Sequence, residues 1–204
     1  MNRSVPFGIT GMDVGPGDHV CAFYRGLPER DRVLLPYLRA GLMAGNKCIC
    51  VVDATAPDSV LADLTGGVDS HAHRADGQLN LLASRDAYFP GGGFSADVML
   101  DFWDQNVRRA LHEEGFDFVR AVGEMTWSLR SIPGVDELVR YEAALNKFSR
   151  RYPQVILCLY DLERFSGEII MDMLKTHPKV LLGGTIYENP YYIRPEEFLA
   201  VLGS

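Results

Sequence analysis

The chain has 204 residues, 47% of them hydrophobic and 23% charged, and a formal charge of −7 from 27 acidic against 20 basic side chains. At this length one core buries roughly 70% of the surface of the unfolded chain, so stability requires neither disulfides nor a structural metal. No basic cluster goes beyond Arg108-Arg109 and Arg150-Arg151. This speaks against direct binding of nucleic acid or an anionic membrane, which both need a concentrated positive face.

Met1 to Gly17 holds one Arg and repeated Gly and Pro without an apolar stretch, unlike a signal peptide, and no apolar run approaches the roughly 20 residues of a membrane span. A cytoplasmic location is expected. Turn residues Gly15 to Gly17 then precede His19–Tyr24, an unbroken apolar run that predicts a strand buried on both faces. From Glu29 to Ala44, Leu34, Tyr37, Leu38, Gly41 and Leu42 recur at helical spacing, with Pro36 either kinking the helix or lying in its first turn, and Gly45 ends it. Cys48–Val52 reads as a second strand finishing at Asp53, Asp58–Leu64 as a short helix, and Gly66–Gly77 as a polar loop.

A third strand, Leu79–Ala83, leads through Tyr88 and Pro90–Gly93 into a long helix. Ser95 is its N-cap, Met99, Phe102, Trp103, Val107, Ala110 and Leu111 form its buried stripe, and Gly115 closes it. Phe116–Gly123 predicts a fourth strand. Val135–Arg151 predicts a helix with the stripe Leu138, Tyr141, Leu145 and Phe148, and Val155–Tyr160 a fifth strand. A helix over Gly167–Lys175, stopped by His177-Pro178, and a sixth strand over Val180–Tyr187 complete the series. Strands alternating with helices throughout describe one α/β domain over residues 1–204, with a parallel sheet flanked by helices in three layers.

In such sheets ligands bind beyond the carboxyl ends of the strands. The residues expected there are Tyr24 and Glu29, Asp53, Ser84 to Tyr88, Glu124 to Trp127, Tyr160 and Asp161, and Tyr187 to Tyr192. A phosphate-binding loop would need G-x-x-x-x-G-K-[ST] after the first strand, so that backbone N–H groups wrap the phosphates and Lys neutralises them. Tyr24 to Asp31 instead has one Gly, no Lys-Ser/Thr and two carboxylates, which argues against ATP hydrolysis in that manner. Glu124 and Trp127 offer a carboxylate beside an aromatic wall, as in a small-molecule pocket; the plainer alternative is a capping or ion-paired Glu beside a packing Trp.

The four cysteines, Cys21, Cys48, Cys50 and Cys158, fall inside apolar strands without C-x-x-C or zinc spacing, and read as core residues. His19 and Cys21 face the same way, as a reactive or metal-binding pair would, but no third ligand is visible and His19 lies at the wrong end of its strand for the crevice. His71 and His73, near Asp69 and Asp76, read as a solvated loop. No residue is assigned as a metal ligand or catalytic group, and no cofactor is expected.

Several segments together resemble a known family: Gly17–Tyr24, Glu29-Arg30, Gly123–Trp127, Tyr141-Glu142, Leu157–Asp161, Thr176–Pro178 and Asn189–Tyr192. In number and order they are similar to the MEDS sensory domain, over roughly residues 17–196. The resemblance implies a RecA/KaiC-related sheet lacking a working Walker A loop, which senses small hydrocarbon derivatives and occurs joined to DNA-binding, kinase or anti-sigma modules. The family's recurring His and Cys fall on His19 and Cys21, its Glu and Trp on Glu124 and Trp127, and its late Cys and His on Cys158 and His177. Together with Tyr24, Glu29, Tyr160 and Asp161, these are the expected ligand contacts.

With only Ile193 to Ser204 after the last motif, output in trans is expected, through a regulatory partner of kinase or anti-sigma type or through a homo-oligomer. The expected function is a non-enzymatic sensory module that binds a small, largely apolar metabolite. The alternatives are a ligand-free interaction scaffold and a residual enzyme using Cys21 or Glu124.

Overall fold

The computed structural model describes residues 4–202, with side chains to residue 200. Met1 to Arg3, part of the opening stretch considered above, and Gly203-Ser204 lie outside the described residues. Two short strands, β1 (Val5–Pro6) and β2 (Asp13–Val14), pair antiparallel ahead of β3 (His19–Tyr24). There follow α1 (Gly26–Met43), β4 (Lys47–Val52), α2 (Pro57–Asp63), α3 (Ser70–Ala75), β5 (Leu79–Ala83), α4 (Ser84–Ala87), α5 (Ala96–His112) and β6 (Val119–Glu124). Two 3-10 turns, Met125–Leu129 and Val135–Glu137, lead to α6 (Leu138–Ser149), β7 (Gln154–Asp161), α7 (Gly167–Thr176), β8 (Lys179–Leu182), β9 (Thr185–Glu188) and α8 (Pro195–Leu202). The main sheet has the order β5-β4-β6-β7-β3-β8-β9, parallel throughout except for the antiparallel edge pair β8–β9.

Alternate strand residues feed two separate cores, as the period of two requires. On one face Cys21, Phe23, Ile49, Ala121, Ile156, Cys158 and Tyr160 pack against α5, α6 and α7. On the other, Val20, Ala22, Tyr24, Cys48, Cys50, Val122, Leu157 and Leu159 pack against α1, α2 and the β1–β2 hairpin. β3, β4, β6 and β7 are buried along their whole length, which is why they read as unbroken apolar runs.

Five boundaries differ from the sequence reading, each for a local reason. The sixth strand expected over Val180–Tyr187 is two antiparallel strands, because Gly183 (φ +58°) and Gly184 (φ +79°) turn the chain back on itself. α1 begins at Gly26 rather than Glu29, which leaves Pro36 inside the helix, the other of the two positions expected for it. The polar stretch Gly66–Gly77 contains α3, started by Asp69, whose side chain accepts from the Ala72 N–H at 3.0 Å. The fourth strand begins only at Val119 and runs on to Glu124, and the helix expected from Val135 opens as a 3-10 turn. The Ser95 cap is present, accepting from the Val98 N–H at 3.5 Å. Among the described residues no helix is long and apolar enough to cross a membrane.

A buried guanidinium fastens the β1–β2 hairpin to the sheet. Arg120, in the middle of the sheet and fully buried, donates to Asn46 Oδ1 (2.9 Å) and to the carbonyls of Pro6 (2.7 Å), Phe7 (3.4 Å) and Tyr37 (3.3 Å), and lies over the Tyr37 ring. Gly41 makes room for it: a Cβ there would come within 2.6 Å of Arg120 Cδ. Removing the donors strands several buried carbonyls at once. We therefore expect Arg120→Ala to lose about 2–4 kcal/mol in urea unfolding, with hydrogen-exchange protection lost first over residues 5–14.

Candidate functional site

At the carboxyl edge of the sheet β3 passes to α1 through a single residue, Arg25. Glu124, at the last position of β6 and fully buried, organises this edge. Its Oε1 accepts from Tyr24 Oη and Arg30 Nη1, both at 3.3 Å, and its Oε2 accepts from the backbone N–H groups of Asp53 (2.7 Å) and Ala54 (3.0 Å). Four donors, the Arg30 guanidinium among them, compensate the loss of water around the carboxylate. Burial and the nearby Glu124 charge push the Tyr24 phenol well above its ordinary range, so it acts as a donor. Asp161, ending β7, accepts from the Gly26 N–H at 3.3 Å and the Glu163 N–H at 3.0 Å, fixing the turn into α1.

The expected pocket of Tyr24, Glu124 and Trp127 does not form. Trp127 turns to the opposite core, fully buried, stacked on Tyr88 at 4.6 Å and tilted against Phe94 at 4.6 Å. Arg30, which sequence reasoning passed over, fills the space beside Glu124 instead. An open cleft does exist next to it, at the ends of β3 and β8. It has a volume of about 330 Å³ and is lined by Phe23, Tyr24, Glu29, Val33 and Leu181 among others. Tyr24 and Glu29 are thus the two expected contacts that reach open space; Glu29 also accepts from the Arg25 N–H at 2.8 Å.

A second polar centre lies inside the α5–α7 face. His19, from the start of β3, Glu142, from α6, Cys158, from β7, and His177, capping α7, are all fully or almost fully buried, and their ligand-type atoms lie within 4.8 Å of one another. Tyr160 Oη donates to Glu142 Oε1 at 2.6 Å. His19 Nε2 stands 3.4 Å from Cys158 Sγ and 3.3 Å from Glu142 Oε2, and His177 Nε2 stands 3.4 Å from the same oxygen. Burial pushes the His19 imidazole down to about 4, which keeps the ring neutral at pH 7. Burial drives the Cys21 and Cys158 thiols far up, with Glu142 adding to both.

Two expectations are corrected here. The thiol that meets His19 is Cys158 on the neighbouring strand, not Cys21, which is paired in register with Cys158 but lies outside the four-residue group. And His19 does have further donor partners, which the sequence reading did not see because Glu142 was taken only as part of a motif. The signal was present: Glu142 falls four residues after Leu138 and three before Leu145, on the apolar stripe of its helix, where a carboxylate needs a partner. Asn146, four residues on, shares that face.

These features define a RecA-like parallel-sheet domain with an ion-paired carboxyl edge and a dry His/Glu/Cys centre. The chain belongs to the MEDS family, MEthanogen/methylotroph, DcmR Sensory domain, whose sequence pattern matches residues 18–178. It is 34% identical over 173 residues to the transcriptional repressor DcmR of Methylorubrum extorquens, an alignment that takes in 83% of this chain and 61% of the repressor. The chain thus spans about three fifths of that relative.

In solved structures it is similar to the KaiC-like protein PH0186 of Pyrococcus horikoshii, with TM-score 0.62 and 14% identity over 88% of this chain and 80% of that one. It is also similar to the flagellar accessory protein FlaH of Methanocaldococcus jannaschii, with TM-score 0.57 and 9% identity over 95% and 92%. At such identities these likenesses establish the fold.

Removal of the Glu124 side chain leaves the backbone N–H groups of Asp53 and Ala54 without this acceptor and the Arg30 guanidinium without its buried counter-charge. We expect Glu124→Ala to cost about 3 kcal/mol and Glu124→Gln distinctly less, by chemical unfolding. Equal losses would show that the charge itself contributes little.

Proposed function

We propose that this chain is a non-enzymatic sensory module that takes a small, largely apolar molecule in the cleft beyond β3 and β8 and passes its occupancy to a transcription-regulatory partner. The observation that carries this reading is the cleft itself, placed where ligands bind in parallel sheets. Ile9, Phe23, Val33 and Leu181 give it an apolar wall, and Glu29 and Arg32 a polar rim, the mixture expected of a small-molecule site. Its volume of about 330 Å³ is near the lower end of the roughly 300–1,000 Å³ of ligand cavities, which suits a molecule of few heavy atoms.

The one-residue passage from β3 to α1 leaves no loop to wrap phosphates, and the neighbouring space is filled by Arg30 and Glu124. This supports a guest other than a nucleotide triphosphate. Burial pushes all four thiols up, in Cys48 and Cys50 despite nearby cations, which supports the absence of cysteine catalysis. Kinship with a transcriptional repressor supports the regulatory output. A docking surface is the second reading, favoured by the exposed Leu182, Tyr187 and Tyr191 around the β8–β9 hairpin.

Thermal unfolding with a panel of short-chain alcohols, amines and organohalides tests the sensory reading. A ligand at about 100 times its dissociation constant adds about 2.7 kcal/mol of stability. We expect that gain in the native chain and its loss in Val33→Trp, which fills the cleft. Equal shifts in both proteins, or stabilisation by MgATP alone, would overturn the reading.

A further inference from the structure

We propose that His19, Glu142, Cys158 and His177 form a closed, four-coordinate binding site for one zinc-type divalent cation. This goes beyond the sensory reading and does not depend on it. The four residues come from β3, α6, β7 and the end of α7, so one ion would join four elements of the fold.

The hydrogen bonds on the far side of each ring fix what the near side offers. The Asn146 amide donates through Nδ2 to the carbonyls of Glu142 (3.3 Å), Ala143 (3.2 Å) and Thr176 (2.6 Å), which leaves its Oδ1 as an acceptor toward His19 Nδ1 at 3.2 Å. His177 Nδ1 is 2.8 Å from the Met173 carbonyl, which can only accept. Both rings therefore carry their proton on Nδ1 and turn a bare Nε2 inward, the arrangement that outer hydrogen bonds impose on metal-bound histidines. There the two lone pairs meet a third acceptor, Glu142 Oε2, at 3.3 and 3.4 Å, and His177 Nε2 has no hydrogen-bond partner although fully buried.

The Cys158 thiol brings a single proton, at 3.4 Å from His19 Nε2 and 3.5 Å from Glu142 Oε2. One proton cannot satisfy three converging acceptors closed off from bulk solvent, whereas one cation can.

The spacing and chemistry suit zinc. Bonds of about 2.0–2.3 Å at tetrahedral angles set neighbouring donor atoms about 3.3–3.6 Å apart; four of the six donor–donor distances in the group are 3.3, 3.4, 3.4 and 3.5 Å, and all six lie within 4.8 Å. Thiolate with imidazole selects zinc-type ions over magnesium or calcium. The Tyr160 hydroxyl holds the other carboxylate oxygen at 2.6 Å. On binding, the Cys158 S–H bond breaks, sulfur bonds to the metal and the proton leaves to solvent. The two charges of the ion are then balanced by one thiolate and one carboxylate. Since four protein donors complete the coordination, the ion would be structural, with no open position for a substrate water. Its binding energy would be folding energy.

The test uses the full chain, unfolded in denaturant and refolded with chelator, zinc or cobalt(II). We expect one zinc per chain by elemental analysis after gel filtration, a higher melting temperature than with chelator, and, with cobalt, the thiolate charge-transfer band and strong visible absorption of a four-coordinate site. Cys158→Ser should remove the charge-transfer band, His177→Gln should weaken zinc binding at least tenfold, and Cys21→Ser should leave both unchanged. If the variants fail to fold, alkylation of Cys158 in the native chain decides: zinc should protect it relative to chelator through partial denaturation. A refolded chain that retains no zinc and shows no cobalt band, or binding that survives in Cys158→Ser/His177→Gln, overturns the proposal.

Discussion

A carboxylate taken out of water must recover its solvation inside the protein, and two such groups, Glu124 and Glu142, set the internal order of this domain. Each is fully buried and each stands on a different face of the sheet. Glu124 solves the problem with backbone N–H groups, a phenol and a guanidinium, and in doing so ties the ends of β3, β4 and β6 to the first turns of α1. Glu142 has a single hydroxyl for one oxygen and only bare ring nitrogens and a thiol around the other. The first arrangement is closed electrostatically. The second is complete only with a positive charge at its centre.

This contrast bears on the backbone N–H groups at the carboxyl edge of the sheet. A phosphate cradle needs free backbone N–H groups at a strand-to-helix turn. Here the Asp53 and Ala54 N–H groups are used by Glu124, the Gly26 N–H by Asp161, and the Arg25 N–H by Glu29. The protein's own carboxylates thus take up these N–H groups, and the edge keeps two open clefts, one beside α1 and β8 and one beyond β4 and β5.

The sheet was legible in the sequence where burial is two-sided: β3, β4 and β7 are unbroken apolar runs, and such a run has few other readings. Legibility failed where a local feature overrode the run. Val180–Tyr187 looks continuous because Leu182 and Ile186 flank the two glycines, and only the positive φ of Gly183 and Gly184 reveals the turn. Residues 66–77 look like loop because α3 buries only Ser70. The site was half legible. His19, Cys158 and His177 stood out as chemically unusual, but they lie far apart in the chain and strand register decides which of them meet. Cys21 and Cys158 are equivalent in sequence context, and only the helix crossing above them puts Glu142 against one of the two. Trp127 was misplaced because the 3-10 turn after β6 rotates it away from the edge that Glu124 occupies.

The two centres also divide the domain mechanically. β3 carries His19 at one end and Tyr24 at the other, so the dry polar centre and the cleft share one strand held on both sides by β7 and β8. Around His19 the side chains of Glu142, Tyr160 and His177 are fully buried, with the His19 and His177 rings 4.0 Å apart. At the cleft the outer wall is Leu181 and the Gly183-Gly184 turn of an edge hairpin, with solvent beyond it. Glycine turns at an exposed edge have the lowest cost of local rearrangement. An occupant of the cleft, as proposed above, would therefore displace the β8–β9 hairpin before β3. That hairpin presents Leu182 and Tyr187 to solvent, with Tyr191 just beyond it, so the part of the fold most able to respond to a guest is also the part whose apolar side chains can report it.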